Sequence, residues 1–347
     1  MKGKTANVSE QAQARMQMAD IARLAGVSVA TVSRALNGSS LVNAETRQRV
    51  TDLARSLNYS INVGAKNLRL KHNRTVAVVV PYDTAARQHL SDPFFLSMLG
   101  SLADALTERG YDMLVSRVDA DRLDLVAALF DSGRAAGIIL IGQWRHHDQL
   151  NELARRRVPM VVWGAKLPHQ FYCTVGSDNV EGGRLATQHL IEQGRRQIVF
   201  LGDRNLPEAA QRFEGYCEVL ARAKIRQESQ FVIPADFTVG GGERAVVDLL
   251  DQGTRFDAMF AASDLLAMTA INVLRRAGIH VPHDVAMVGY DDIELASHVH
   301  PPLTTVRQPI DVAGRTLVEL FSRIVAGENA QSVLLPTRLV IRGTSIR

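Results

Sequence analysis

The feature that most constrains this chain is an alternation that begins at Thr75. Short apolar runs, T-V-A-V-V-V, D-M-L-V-S, G-I-I-L-I-G, M-V-V-W, Q-I-V-F-L-G, A-M-F-A-A and V-A-M-V-G, are separated by stretches with helical periodicity. A strand that is apolar at every position is one buried on both faces, and that requires a sheet covered by helices on both sides. Alternating strands and helices join through right-handed crossovers, so the sheets are expected to be parallel. Roughly 270 residues of this pattern exceed one comfortable core, and two α/β lobes with a cleft between them are expected. In open sheets ligands collect beyond the C-terminal strand ends, which in two facing lobes means the cleft.

Chemistry is therefore sought just past those strand ends. The residues there are Ser91-Asp92-Pro93-Phe94-Phe95, Gln143, Asp178-Asn179 ahead of Gly182-Gly183, and Arg212 ahead of Gly215-Tyr216. Further along come Phe237 ahead of Gly240-Gly241-Gly242, then Ser263-Asp264, and Tyr290-Asp291-Asp292. Arginine, carboxylates, amides and aromatic faces suit a polyhydroxylated small molecule held by paired hydrogen bonds and stacking. Any one of them alone is more often a cap or a turn, and their weight comes from recurring at the same end of successive strands. The glycine run lacks a following Lys-Ser/Thr and is expected to be a flexible turn rather than a phosphate cradle.

The first quarter is different in kind. Residues 1–75 hold twelve Lys/Arg against four Asp/Glu, a net +8, while the remainder holds 28 against 32. Such a segment is suited to a polyanion, although basic N-terminal tails are common. From Met18 to Leu36 two short apolar-periodic segments flank Ala25-Gly26-Val27, which predicts two helices joined by a tight turn. Gly26 suits a left-handed turn residue, and Ser28 is placed to cap the second helix. Ile21, Ala22, Val32 and Leu36 have the spacing to pack inward, leaving Val29, Ala30, Ser33 and Arg34 outside. A third helix is expected from Asn43 to Leu57, with Val50, Leu53, Ala54 and Leu57 on its apolar stripe.

The run D-I-A-R-L-A-G-V-S-V-A-T-V-S-R-A-L-N-G, followed by V-N-A-E-T-R-Q-R-V and L-N-Y, resembles the DNA-binding headpiece of the lactose and galactose repressor (LacI/GalR) family in order and spacing. The resemblance implies that the second helix enters the major groove with Val29, Ala30 and Arg34 at base edges, Arg34 reading guanine. Thr31, Ser33, Asn37, Asn43 and Thr46 would hold phosphates or neighbouring backbone. In the basic stretch S-I-N-V-G-A-K-N-L-R-L-K-H-N-R it implies a hinge helix that folds on DNA, with Leu68 wedging into the minor groove, Ala65 one turn earlier and Asn62 near its start. Two departures, Ile61 where proline is common and Gly64 inside the helix, make that hinge more dependent on DNA to form.

The resemblance extends over nearly all of residues 75–345, where the family core is shared with periplasmic sugar-binding proteins. It implies that Phe95, or Phe94, lies against a ligand, that Arg212 and Asp291 clamp hydroxyls, and that Phe237 stacks. Ser263 and Asp264 would form the C-terminal lobe wall, Gln308 would lie at the third crossover, and Gln143 and Asp178 would be weaker contributors. W-G-A at 163–165 lacks the aspartate often found there, so Trp163 is either a stacking surface or a core residue.

The expected organisation is an all-α helix-turn-helix headpiece followed by a two-lobed, periplasmic-binding-protein-like α/β core with parallel sheets. Its parts are an extension at 1–17, the headpiece at 18–59, the hinge at 60–74 and the core at 75–347. The N-lobe would comprise 75–176 and 306–332, and the C-lobe 177–305 and 333–347. Cys173 and Cys217 are too few for a disulfide framework or zinc site, and no apolar run approaches the roughly 20 residues of a membrane span. The N-terminus lacks a secretory signal, so a cytoplasmic protein is expected. No catalytic or cofactor motif is present, so no enzyme and no cofactor are expected. The favoured function is a homodimeric repressor on a near-palindromic operator, controlled by a mono- or disaccharide in the cleft. The alternatives are a transport-associated sugar-binding protein and an enzyme on a related sheet.

Overall fold

The computed structural model describes residues 17–36, 39–57, 73–83 and 88–346, which fall into two compact units, Met1–Lys71 and His72–Arg347. The hinge positions Asn62, Ala65 and Leu68, the phosphate candidate Asn37 and most of the N-terminal extension lie outside the described residues.

The first unit holds helices α1 (Met18–Ala25), α2 (Val29–Leu36) and α3 (Ala44–Ser56). Gly26 takes the left-handed conformation at φ 63° and ends α1. The Ser28 hydroxyl accepts from the Thr31 amide at 3.1 Å and starts α2, and Asn43 Oδ1 accepts from the Thr46 amide at 2.8 Å to start α3. The core consists of Ile21, Ala22, Ala25, Val32, Ala35, Val42, Val50 and Ala54. Leu36, expected inside, is half-buried and packs against this core, with Ala35 buried beside it. Half of this core is alanine. Each of its four larger side chains contributes on the order of 1.5–3 kcal/mol, so caps at roughly 1 kcal/mol each matter to this unit.

The second unit contains two six-stranded sheets. Strands β1 (Thr75–Tyr82), β2 (Asp112–Asp119), β3 (Gly137–Ile141), β4 (Met160–Trp163), β5 (Cys173–Ser177) and β11 (Val333–Leu335) form the first, in the order β11-β5-β4-β3-β1-β2. All its pairings are parallel. Along β1 the side chains divide with period two: Val76, Val78 and Val80 face helices α4 (Pro93–Glu108) and α11 (Ile310–Val325), while Ala77 and Val79 face the opposite core with Leu123 and Leu150. Strand β2 was expected to be doubly buried, but it lies at the sheet edge and is partly exposed along its length. Between these elements run helices α5 (Ala127–Asp131) and α6 (His147–Arg155).

Strands β6 (Ile198–Leu201), β7 (Val232–Ile233), β8 (Ala258–Ala261), β9 (Ala286–Asp291), β10 (Thr304–Arg307) and β12 (Arg338–Val340) form the second sheet, in the order β12-β10-β9-β8-β6-β7. It is parallel except for β12, an antiparallel edge strand. Helices α7 (Asn179–Glu192) and α8 (Pro207–Arg222) cover one face, α9 (Val239–Asp251) and α10 (Asp264–Arg276) the other.

The pairing corrects the lobe boundaries. Ser177 still belongs to the first sheet, Val306 and Arg307 to the second, and Val333–Leu335 to the first, where Val333 is in register with Val175. The chain passes between lobes after Ser177, between Arg307 and Ile310, and between Leu335 and Arg338, which puts Gln308 at the second passage rather than the third. The glycine run is also corrected: Gly240, Gly241 and Gly242 form the first turn of α9. Thr238 caps that turn through the Gly241 amide; a Cβ on Gly241 would meet Asp236 at 2.8 Å and one on Gly242 would meet Leu266 at 2.9 Å, so these two glycines serve close packing.

Candidate functional site

Two adjacent helices set the geometry of the cleft. A Cβ on Gly183 of α7 would stand 2.1 Å from the Arg212 carbonyl oxygen, and one on Gly215 of α8 would stand 2.0 Å from that of Val180. Only glycine allows this backbone-to-backbone crossing. It places Arg212, at mid-helix, beside Asn179 at the start of α7. Arg212 Nε donates to Asn179 Oδ1 at 2.9 Å and Nη1 to the Ala262 carbonyl at 2.5 Å, while the guanidinium lies 3.7 Å over the Tyr290 ring. A buried arginine held on three sides is a preorganised donor.

Asp291 ends β9 with φ 121°, a conformation that costs a non-glycine residue about 1–3 kcal/mol. Gln308 holds it: Nε2 donates to Asp291 Oδ1 at 2.6 Å, and Gln308 Oε1 in turn accepts from Ser177 Oγ at 2.6 Å. Ser177 is tied to Asn179, whose amide donates to the Ser177 carbonyl at 3.1 Å. A continuous buried network thus runs from Arg212 through Asn179, Ser177 and Gln308 to Asp291, drawing residues from both lobes.

Of this network Arg212, Gln308 and Asp291 line a cavity of about 110 Å3 between the lobes, together with Phe94, Phe95, Phe237 and Ser263. Seven of the ten expected ligand residues are therefore brought together. The other three stand behind the wall. Gln143 is fully buried and donates to the Ala165 carbonyl and the Tyr172 hydroxyl. Asp178 caps α7 through the Glu181 amide. Asp264 accepts from the Ile293 amide and Thr305 Oγ1, supporting the loop that follows Asp291. Trp163 both packs in the first lobe's core and faces the cavity, 6.5 Å from Phe94.

Two cavity residues of consequence, Trp144 and Glu208, escaped the sequence reading. Trp144 follows β3 with φ 52°, and its neighbour Arg145 reaches across the cleft to Asp203 at 2.6 Å. Glu208 sits on the first turn of α8. Asp92, named above only within its segment, caps α4 through the Phe94 amide and also faces the cavity. Their signal was the position after a strand end; Glu208 was obscured by the loop residues between β6 and α8. An adjoining hollow of about 680 Å3 shares Gln88, Asp92 and Phe237 and adds Arg244.

The cavity is short of positive charge. Burial pushes the Asp291 carboxyl up to about 7; Arg212 and the Gln308 hydrogen bond pull it down and Asp92 pushes it further up. Burial also raises Asp92 and Glu208, against the pull of the Phe94 amide on the first and of nearby amides and Arg212 on the second. Asp264 is raised by burial and by Asp291.

In the first unit α2 turns Val29, Ala30 and Arg34 to solvent, with Val29 48% exposed. Thr31 and Ser33 are half-buried on its flank. Asn43 and Thr46 meet each other in the cap of α3.

The chain matches the model of bacterial regulatory proteins, lacI family, over residues 17–62, and that of the periplasmic binding protein-like domain over residues 187–345. It is 36% identical to the HTH-type transcriptional regulator CelR of Thermobifida fusca over 93% of this chain and 96% of that protein. It is 31% identical to the HTH-type transcriptional repressor CytR of Escherichia coli (strain K12), over 94% and 96% respectively. Among solved structures it is similar to the CelR–cellobiose complex, with TM-score 0.71 and 33% identity over 95% of this chain and 100% of that one. It is also similar to the Lac repressor dimer bound to operator and the anti-inducer ONPF, with TM-score 0.82 and 26% identity over 96% and 99%.

Proposed function

Since the chain belongs to the lacI family of bacterial regulatory proteins, we propose that it is a sequence-specific transcriptional repressor whose hold on its operator is set by a sugar bound between the lobes. The observation that carries this reading is the network from Arg212 to Asp291, which puts a fixed donor and a fixed acceptor in one aromatic-walled cavity, on a chain that also carries a helix-turn-helix. The relatives are transcription regulators rather than enzymes, and among their structures are complexes with cellobiose and with ribose.

Helix α2 enters the major groove, with Val29 and Ala30 offering apolar contact to a base such as thymine and Arg34 reading guanine. Thr31, Ser33 and Thr46 hold the backbone alongside, and Asn43 acts through the cap of α3. One headpiece covers a short half-site, so the operator is a near-palindrome and the protein a homodimer, as the Lac repressor is on its operator. Such a protein acts in the cytoplasm, where its operator is. No helix among the described residues is long and apolar enough to cross a membrane.

In the cavity Arg212 and Asp291 hold hydroxyls, Gln308 and Ser263 add polar contacts, and Phe94, Phe95 and Phe237 stack. The ligand changes the angle between lobes through the same network, a coupling worth roughly 1–3 kcal/mol. The test is selection of operators from random duplexes by the purified protein, repeated with a panel of mono- and disaccharides. Enrichment of a near-palindrome whose binding one sugar alters supports the reading. Failure to enrich any sequence at low salt, where phosphate contacts are strongest, overturns it.

A further inference from the structure

We propose that the cavity selects uncharged polyhydroxylated ligands and excludes their phosphate monoesters, with Glu208 as the residue that sets the exclusion. The proposal rests on the reading of this cleft as the effector site and adds the class of ligand it admits.

Three carboxyl groups, Asp92, Glu208 and Asp291, line the cavity, and Arg212 is the sole cationic residue in its wall among the described residues. Two of that guanidinium's nitrogens are already committed within the protein, Nε to Asn179 and Nη1 to the Ala262 carbonyl. Arg244 lines the adjoining hollow, which shares Asp92 and Phe237 with the cavity, and Arg117 is engaged with the Gln88 carbonyl. Arg145, beside Trp144, is engaged with Asp203.

A sugar hydroxyl donates to a carboxylate or accepts from a protonated carboxyl, so a neutral ligand is accommodated in either state. A phosphate monoester is mostly a dianion above its second pKa of about 6; in that form its phosphate oxygens only accept, and its charge opposes every ionised carboxylate in the wall. The aromatic residues in the wall, Phe94, Phe95, Trp144, Trp163 and Phe237, suit the C–H surface of a pyranose or furanose ring.

Glu208 has a particular place among the three. It stands on the first turn of the 16-residue helix α8, directly after Pro207. A helix N-terminus facing a cavity is the natural berth for a phosphate, because its free amides point outward and the helix dipole favours negative charge. Here the chain places its own carboxylate there. Asp92 caps α4 and Asp291 is held by Gln308, whereas no side chain among the described residues is hydrogen-bonded to the Glu208 carboxyl, whose charged form is favoured by its own amide, by Arg212 and by the Gln143 amide.

The experiment is isothermal titration of the full-length protein with glucose, ribose, trehalose and cellobiose, each against its own primary phosphate monoester. The expected result is that the sugar that binds does so at least about tenfold more tightly than its ester, as expected when a like charge is placed in the site. In Glu208→Gln that ratio falls, through gained affinity for the ester, and in Asp92→Asn, which retains a capping residue, it falls less. Thermal denaturation checks that both variants are folded. An ester that binds the wild type as tightly as its parent sugar overturns the exclusion while leaving the cleft as the effector site. A ratio unchanged in both folded variants also overturns it. Absence of binding by every sugar and ester overturns this proposal together with the reading on which it rests.

Discussion

Gln308 grips Asp291 twice, through Nε2 to the carboxylate at 2.6 Å and through its backbone amide to the Asp291 carbonyl at 3.3 Å. Gln308 lies on the segment that passes between lobes, and Asp291 lies in the cavity with its backbone at φ 121°. Gln308 thereby ties the segment that joins the lobes to an acid that lines the cavity. Backbone strain of this kind persists only where surrounding contacts over-determine it.

The same acid links stability to pH. An unfolded aspartate titrates near 3.9, and the folded Asp291 carboxyl near 7. Between those values the folded protein holds more protons than the unfolded chain, so the contribution is fully present below about 4 and is lost as pH rises through about 7. Scanning fluorimetry of the ligand-free protein from pH 5 to 8 is expected to show a falling melting temperature attributable in part to this group. Asp291→Asn should make that fall shallower. A variant whose profile parallels the wild type would remove Asp291 as a cause, leaving Asp92, Glu208 and Asp264, all raised in the same direction.

Arg212 distinguishes geometry from charge. Lysine retains the positive charge but cannot reach Asn179, the Ala262 carbonyl and a ligand in one plane. We expect Arg212→Lys to weaken effector binding roughly 10- to 100-fold, the loss of one or two charge-assisted hydrogen bonds. Operator affinity without effector should stay near wild type. Titration calorimetry paired with fluorescence anisotropy on operator separates the two. Normal effector affinity in this variant would remove the cavity assignment.

Much of this architecture was legible in the sequence because the strands that matter most are apolar at every position. β3, β4, β6 and β8 announce themselves, and residues after their ends fall in or near the cavity. The headpiece was legible through Gly26, Ser28 and Asn43, each of which has a local job that no neighbour can do. The misses have physical reasons. β5, with Thr174 and Gly176 among its five residues, and β10, Thr-Thr-Val-Arg, lack the apolar signature, and β7, β11 and β12 are too short to carry one. The lobe boundaries depend on long-range register, which local pattern does not encode. Gln143, Asp178 and Asp264 occupy strand-end positions like the others, but their side chains turn into backbone caps and buried bonds, a distinction only packing makes.

Close packing of α7 on α8 gives a second kind of test. Gly183→Ala introduces a methyl 2.1 Å from the Arg212 carbonyl oxygen, where backbone rather than a flexible side chain must move. Overpacking of this kind costs typically 1–3 kcal/mol, and backbone contact places it at the upper end. Urea denaturation should show a lower midpoint, and because Arg212 itself is displaced, effector affinity should fall too. Gly194→Ala is a poor control, since φ there is 83°, but Gly100→Ala on α4 meets nothing within 4 Å and should be stabilising by about 0.4–1 kcal/mol, the opposite sign.

Arg34 carries the reading of DNA. It is exposed near the end of α2, beyond the Ala35 and Val32 side chains that hold the helix to its bundle, so truncation should leave the headpiece folded. If its guanidinium reads a guanine edge, Arg34→Ala costs about 1–3 kcal/mol, roughly 5- to 150-fold, and relaxes preference at one base pair per half-site. If it meets only phosphate, the loss is uniform across sequences and the dependence of log K on log salt becomes shallower by about one unit. Anisotropy titrations on the selected operator and its single-base variants, at three salt concentrations, separate these outcomes. A loss confined to one position with an unchanged salt slope assigns Arg34 to the base edge, and a uniform loss with a shallower slope moves it to the backbone and leaves specificity to Val29, Ala30 and the shape of the duplex.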